Sequence, residues 1–377
     1  MSLQQRVLWL FFLQPVAFGA WIPRIPQIQT KLALDPAGLA LALAGGPVGT
    51  LITLLFADRL VHALGARQTT LVFFPVFFAV MALPLLAPTL PLLALSLALM
   101  SASISILELG LNVLASEAER LEKRIIMSKA HGFWSLGLMA GTALGAIAAG
   151  LHVAPIAANL AITLFALPAA MWFGRELPRA APPASSVPGK IALPHPVLLL
   201  ICLYVFGTAL TEGAVADWSA IYMRDAFGST PGIGGLAVSA FSLAVALTRM
   251  MGDRLRQRFG PARLGRTLAF VGLAGVLLVV FAPSESAGIL GFVLVGIGAS
   301  VAFPIGVSAA VEAPGRNTAS NVATLSFIAL TGFLIGPLLI GSITQLAGIR
   351  AGLGVLFPML ALSALLAPVL NRPRITR

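Results

Sequence analysis

Charge is what this chain has least of. Only 10% of its 377 residues are Asp, Glu, Lys or Arg, where soluble domains carry about a quarter. Hydrophobic residues make up 58%, and the mean hydropathy is +0.98. That balance excludes a water-soluble domain and implies a membrane-embedded one. Cysteine is nearly absent, since Cys202 stands alone and no internal disulfide can form. Four scattered histidines and that cysteine offer no metal-ligand spacing. HExxH and GxSxG motifs are missing, and the nearest approach to a P-loop, Gly189-Lys190, runs into Ile191. The sequence therefore predicts no enzyme, no cofactor and no nucleotide-driven step. The ten-residue alternation of an outer-membrane barrel is missing too, which leaves helices.

What is present is a series of apolar runs, each long enough to cross a bilayer as a helix. They fall near 7–26, 36–57, 67–87, 91–115, 130–151, 154–173, 196–217, 233–252, 267–283, 286–311, 320–346 and 350–370. The short basic lead Met1 to Arg6 has no small-residue cleavage site after it, so the first run reads as a span and not as a signal peptide. Arg175 to Pro194 breaks the series with Pro, Ala and Ser and has no apolar periodicity. The expected organisation is a six-helix bundle at 1–174, a linker at 175–195 and a second six-helix bundle at 196–377.

Lys and Arg set the expected orientation. With the N-terminus inside, 19 of the 24 basic residues fall on the cytoplasmic side. Arg24, Lys31, Arg224 and Arg350 fall outside, and Arg249 lies within a span. Both termini are thus expected in the cytoplasm. The net charge of +11 is then an orientation signal, and nucleic-acid binding is not needed to explain it.

The halves also repeat. A shift of 195 residues lays Asp58-Arg59-Leu60 and Gly65 over Asp253-Arg254-Leu255 and Gly260 without a gap. It also pairs Glu117 with Glu312, Gly137 with Gly332 and Gly141 with Gly336. A constant offset near half the chain length marks two related halves.

Twelve spans, a central linker and basic loops after spans 2 and 8 resemble the major facilitator superfamily over the whole chain. The usual acidic slots before Gly65 and Gly260 hold His62 and Gln257, with Asp58 and Asp253 one turn earlier. A narrower likeness, to the rhizopine-locus (MosC-like) inner-membrane branch, rests on five stretches. These are Trp21-Ile22-Pro23-Arg24-Ile25-Pro26, Glu108 to Asn112, Met127-Ser128-Lys129-Ala130-His131, Glu212-Gly213-Ala214 and Asp217-Trp218-Ser219. The Glu108 stretch is also similar to the fourth span of fucose–proton symporters, where a glutamate carries the coupled proton. Their first-span acid before Ile-Pro-Gln has no counterpart here, because Arg24 precedes Ile25-Pro26-Gln27. The resemblance implies an all-α fold with two pseudo-symmetric bundles. It further implies a bacterial inner-membrane carrier that works as a monomer, with the bilayer and a small solute as its partners.

Glu108 is the leading site residue. A carboxylate well inside an apolar helix costs several kcal/mol on insertion scales, about 3 at the centre, and so marks function by default. Asn112 follows at i+4 on the same face. The shift of 195 carries Glu108 onto Phe303, so this acid is one-sided, as a substrate site would be. A glutamate simply hydrogen-bonded between spans is the competing reading. Gln14 sits at a similar depth in the first span and suits a polyol, although Gln14-Pro15 would also mark a helix irregularity. With Trp21, these residues form the expected solute site.

The resemblance places spans 1 and 7 face to face, which makes Arg24 with Glu212 or Asp217 a candidate outer gate. The bland alternative has Arg24 reaching the headgroups and Asp217 facing water. Glu212 is equally a candidate second proton site. Arg249 and Asp253, four residues apart, are expected to pair, and with Asp58, Arg59 and Arg254 to form a cytoplasmic hinge. His131 reads as structural, and Gly137, Gly141 and Gly145 as a helix-packing stripe.

The expected function is secondary active transport by alternating access, in which a small sugar- or polyol-like solute enters with a proton carried by Glu108. Sodium would suit the same oxygens. The alternatives are a proton-driven exporter of amphipathic compounds and, from another class, a non-transporting membrane sensor.

Overall fold

The computed structural model describes residues 1–123, 126–178, 194–314 and 318–371. Seven basic residues counted in the orientation argument (Arg124, Arg179, Lys190, Arg316, Arg372, Arg374 and Arg377) and linker positions 179–193 lie outside them. Among the described residues, twelve helical segments are long and apolar enough to cross a membrane. Spans 1 to 6 are Leu3–Lys31, Pro36–Leu54, Ala66–Leu86, Leu90–Glu122, Lys129–Gly150 and Pro155–Arg175. Spans 7 to 12 are Pro196–Phe227, Pro231–Phe259, Pro261–Val280, Glu285–Val311, Ser320–Ala347 and Ile349–Asn371. We call the end where span 1 begins the near end and the opposite one the far end.

Helix starts are set by local chemistry. Ser2, Asp35, Thr230 and Ser284 accept a backbone N–H of the first turn that follows, filling donors a helix leaves open. Proline opens spans 2, 6, 7, 8 and 9, where its missing N–H costs nothing. Span 4 outruns its apolar stretch by about two turns, and its acidic tail then serves its neighbours. Glu122 Oε1 accepts from Leu3 N at 2.9 Å, while Glu119 Oε1 accepts from Ile126 N at 2.6 Å and Met127 N at 2.8 Å. One helix end thus caps spans 1 and 5.

The repeat is visible in the backbone. Gly65 closes the short helix Ala57–Leu64 with φ 77° and ψ 147°, and Gly260 closes span 8 with φ 76° and ψ 156°. Both lie in a region that only glycine enters without strain. The glycine pairs also repeat their packing. A Cβ at Gly137 or Gly141 would strike the carbonyls of Phe12 and Val16 on span 1. At Gly332 or Gly336 it would crowd Phe206 and Leu210 on span 7. Span 5 therefore seats on span 1 as span 11 seats on span 7, and bare glycine backbone permits the approach.

The two halves meet tightly at the far end. A Cβ on Gly150 of span 5 would stand 3.5 Å from the Cα of Gly232 of span 8. One on Gly235 would stand 2.5 Å from Ala146 Cβ and 3.0 Å from Pro23 Cβ. Gly341 of span 11 abuts Ala40 and Pro36 of span 2 and Trp218 of span 7. Arg24, Trp21, Ile22 and Ile25 are buried in this seal.

Candidate solute and coupling site

Glu108 sits near the middle of span 4, not near its end. The apolar run stops at Ala115, but the helix continues to Glu122, about 21 Å beyond Glu108 at 1.5 Å per residue. Glu108 is half-buried and forms no hydrogen bond or ion pair among the described residues. Gln14 is buried at 1% exposure and donates from Nε2 to the Ile104 carbonyl at 3.2 Å, one turn before Glu108. The Oε1 of Gln14 and the Oδ1 of Asn112 are buried without a partner. Spans 1 and 4 thus bring together a free carboxylate and two amides with unused acceptors.

The expected outer gate is not formed. Arg24 is 2% exposed and bonds only Gln27 Oε1, at 3.0 Å, leaving Nε and Nη2 without a partner. It reaches neither Glu212 nor Asp217, and it does not reach the headgroups. The reason is helix length. Span 7 runs ten residues past Asp217 to Phe227, so Glu212 lies mid-helix and far below the turn that carries Arg24. Arg224, two turns past Asp217 on the same face, makes the far-end contact instead. Its Nη2 donates to Gln29 Oε1 at 2.7 Å and its Nη1 to the Pro26 carbonyl at 3.1 Å, joining span 7 to span 1. Asp217 is half-buried and has no partner among the described residues. Trp21, expected as a solute contact, is 5% exposed within the apolar core.

Arg249 does not pair with Asp253. Its Nη2 faces both carboxylate oxygens of Glu212 at 3.2 Å, its Nε donates to the Ser300 carbonyl at 3.0 Å, and its Nη1 lies 3.4 Å from Ser135 Oγ. Ser300 is where span 10 breaks, between Glu285–Ala299 and Ala302–Val311, and such a break frees carbonyls for a donor. These opposite charges, with side chains 21% and 23% exposed, lie partly buried in the bundle and find each other where water is scarce. Asp58, Arg59, Asp253 and Arg254 are exposed and make no ion pair among the described residues, so Arg249 is no part of a hinge with them. His131 packs its ring edge-on against Phe11, with centroids 5.5 Å apart.

Sequence reasoning singled out Glu212 and Arg249 but with other partners, and it missed both their pairing and the far-end contact of Arg224. Their signal was present. Glu212 and Arg249 are opposite charges in the middle of neighbouring apolar spans, and Arg224 is one of few basic residues on its side.

Two half-bundles joined around a free carboxylate and a buried ion pair define a class, and the comparisons agree. A family model described as Major Facilitator Superfamily matches residues 213–376. An uncharacterised transporter of Sinorhizobium fredii, y4wD, is 30% identical over 368 residues, covering 96% of both chains. The chain belongs to the major facilitator superfamily, a family of transporters and not of enzymes. It is also similar to the membrane protein MosC of Rhizobium meliloti, 28% identical over 92% of this chain and 85% of that one. Among solved structures, the nucleoside transporter NupG aligns with a TM-score of 0.70 at 14% identity over 98% of each chain. The E. coli fucose:proton symporter FucP gives 0.63 at 16% identity, also over 98% of each. At those identities the two structures speak for the fold alone.

Proposed function

We propose that this transporter moves a small polar, sugar- or polyol-like solute by alternating access and couples it to a proton taken up by Glu108. The observation that carries the reading is the mid-span position of Glu108, half-buried and unpartnered beside the unused amide oxygens of Gln14 and Asn112. A structural glutamate would have found a partner, since an unpaired charge in that setting costs several kcal/mol, about 3 on insertion scales. A carboxylate that must hold a proton when solute is absent, and exchange it during the cycle, gains from having none. Gln14 of span 1 and Glu108 and Asn112 of span 4 would line the N-terminal side of the solute path, with the sealed far end as its opposite boundary. The basic near end would face the cytoplasm of an inner-membrane protein with both termini inside.

The reading is tested by proton flux in proteoliposomes screened against neutral sugars, polyols and sugar acids. A solute-dependent pH change, diminished or lost in Glu108→Gln, is the expected result. Its sign separates symport from the exporter alternative, because the proton then moves against the solute. Solute movement without proton movement, unchanged in Glu108→Gln, would overturn the coupling.

A further inference from the structure

The ion pair of spans 7 and 8 lines a small cavity between the two bundles. Trp134 and Ser135 of span 5 close it from one side, and Glu212, Phe241, Ser242 and Arg249 from the other. Its volume is about 10 Å³, room for the centre of about one water molecule. Nothing larger enters unless a side chain leaves.

Its walls carry several donors. Arg249 offers guanidinium N–H groups, Ser242 offers a hydroxyl, and the buried Trp134 Nε1 has no partner, while the Ser135 hydroxyl already donates to the His131 carbonyl at 3.1 Å. The sole anion among the lining residues is Glu212, and its bond to Arg249 is a poor one. A single nitrogen, Nη2, serves both oxygens at 3.2 Å, whereas a charge-assisted contact runs about 2.7–2.9 Å and an Arg–carboxylate fork uses two nitrogens. The guanidinium is only half engaged by its partner.

We propose that this cavity docks a carboxylate of the transported solute, which takes Arg249 in place of Glu212. The proposal rests on the transport reading above and narrows the solute to a hydroxylated acid, such as a sugar acid. The acid group would lie between Arg249 and the Trp134 N–H, with Ser135 in reach, and so tie the two bundles together. A cation is repelled by Arg249. A neutral sugar would leave the ion pair in place and find no room.

Charge balance sets a second consequence. Before binding, Arg249 and Glu212 neutralise each other. After it, the solute carboxylate neutralises Arg249, and a released Glu212 would stand charged and unpaired in the bundle. One proton therefore accompanies the acid and comes to rest on a Glu212 oxygen, which keeps the site neutral.

Few other charged or titratable groups bear on Glu212. Arg249 touches it, His131 of span 5 lies within electrostatic reach of Arg249, and Asp217 follows five residues along span 7. Asp253 lies a turn past Arg249 and is exposed. Span 11 has no charged residue between Thr318 and Ala347, and spans 10 and 12 carry only Glu285 and Arg350 at their far ends. Span 1 adds Arg24 and Lys31 at the far end.

The test is binding by the full chain in nanodiscs, read by calorimetry. D-Gluconate and D-glucuronate are compared with the neutral alditol D-glucitol between pH 5 and 8. The wild type should bind an acid more tightly as pH falls, by about tenfold per pH unit where one proton is taken up. Glu212→Gln should bind it tightly at every pH. Arg249→Gln should lose at least about tenfold (about 1.4 kcal/mol), and Trp134→Phe, which keeps the ring and removes only the donor, several-fold. If Arg249→Gln proves unstable, Trp134→Phe and Glu212→Gln still decide. The proposal is overturned if neither acid binds the wild type or Glu212→Gln, or if both bind with no dependence on pH, Glu212 and Trp134. The binding experiment varies only Arg249, Trp134 and Glu212 and the proton-flux experiment only Glu108, so failure of the one and failure of the other are separate events.

Discussion

Arg224 shows how one side chain can hold a conformation. Its guanidinium crosses from span 7 to Gln29 and the Pro26 carbonyl on span 1, at the end where the bundles are sealed. Hydrogen bonds to a charged group are worth about 1.5–3 kcal/mol each, enough to bias a two-state equilibrium whose states differ by a few kcal/mol. Replacing Arg224 by Ala should shift the population toward an open far end. The check is thiol labelling of Ala146→Cys, a position 7% exposed where it packs on Gly235 in the seal, which should become several-fold faster in the Arg224→Ala background. Cys202 is buried and gives little background. At this scale the sequence was legible in part. Glu108 stood out because a lone carboxylate in an apolar run has no structural excuse. The partner of Arg249 was misread because i, i+4 spacing suggested Asp253, while burial made Glu212 the one that mattered. Local spacing does not show which of two acids has access to water.

Helix ends are where reading by hydropathy failed. Hydropathy ends span 4 at Ala115, where polar residues follow, and span 7 at the acid Asp217, yet both helices continue, to Glu122 and Phe227. Ser, Glu, Ala and Arg after Ala115 are sound helix formers, so polarity ends the membrane segment without ending the helix. That error put Glu108 too close to one end and Glu212 too close to the other. The glycine stripe was read correctly, because a small residue every fourth position can only mean close packing. Gly141→Val tests it. Removing a helical glycine gains about 1 kcal/mol of helix propensity at most, whereas the new side chain strikes the Val16 carbonyl. Overpacking of that kind costs about 1–3 kcal/mol or more, so the melting temperature of the solubilised protein should fall. A rise would show that span 5 is free to move away from span 1.

For the whole molecule, the duplicated halves explain the fold, and on the proposed alternating-access reading they would also set its motion. Matching glycines at 65 and 260 turn the chain alike, and matching stripes seat span 5 on span 1 and span 11 on span 7. Each half is then a body that can rock against the other. The far-end contacts must part for the cavity to open there. A Cβ built on Gly150 would lie 3.5 Å from Gly232 Cα, and one on Gly232 would lie 3.1 Å from Gly150 Cα, so side chains placed at both positions meet. The Gly150→Cys, Gly232→Cys pair should therefore cross-link under oxidation and stop transport, and reductant should restore it. Transport that persists in the cross-linked protein would mean that this seal does not open in the cycle. None of this closure was visible in the sequence, since it depends on which glycines of different spans end up opposite each other.

The most direct test of the central claim separates carrying from coupling in Glu108→Gln. Proteoliposomes bearing an imposed pH gradient are compared for solute exchange at equilibrium and for net accumulation. If Glu108 carries a coupled proton, the variant keeps exchange at near wild-type rate and loses the part of the accumulation which that proton drives. Accumulation at the wild-type level in Glu108→Gln would contradict the account and leave that carboxylate without a role in coupling.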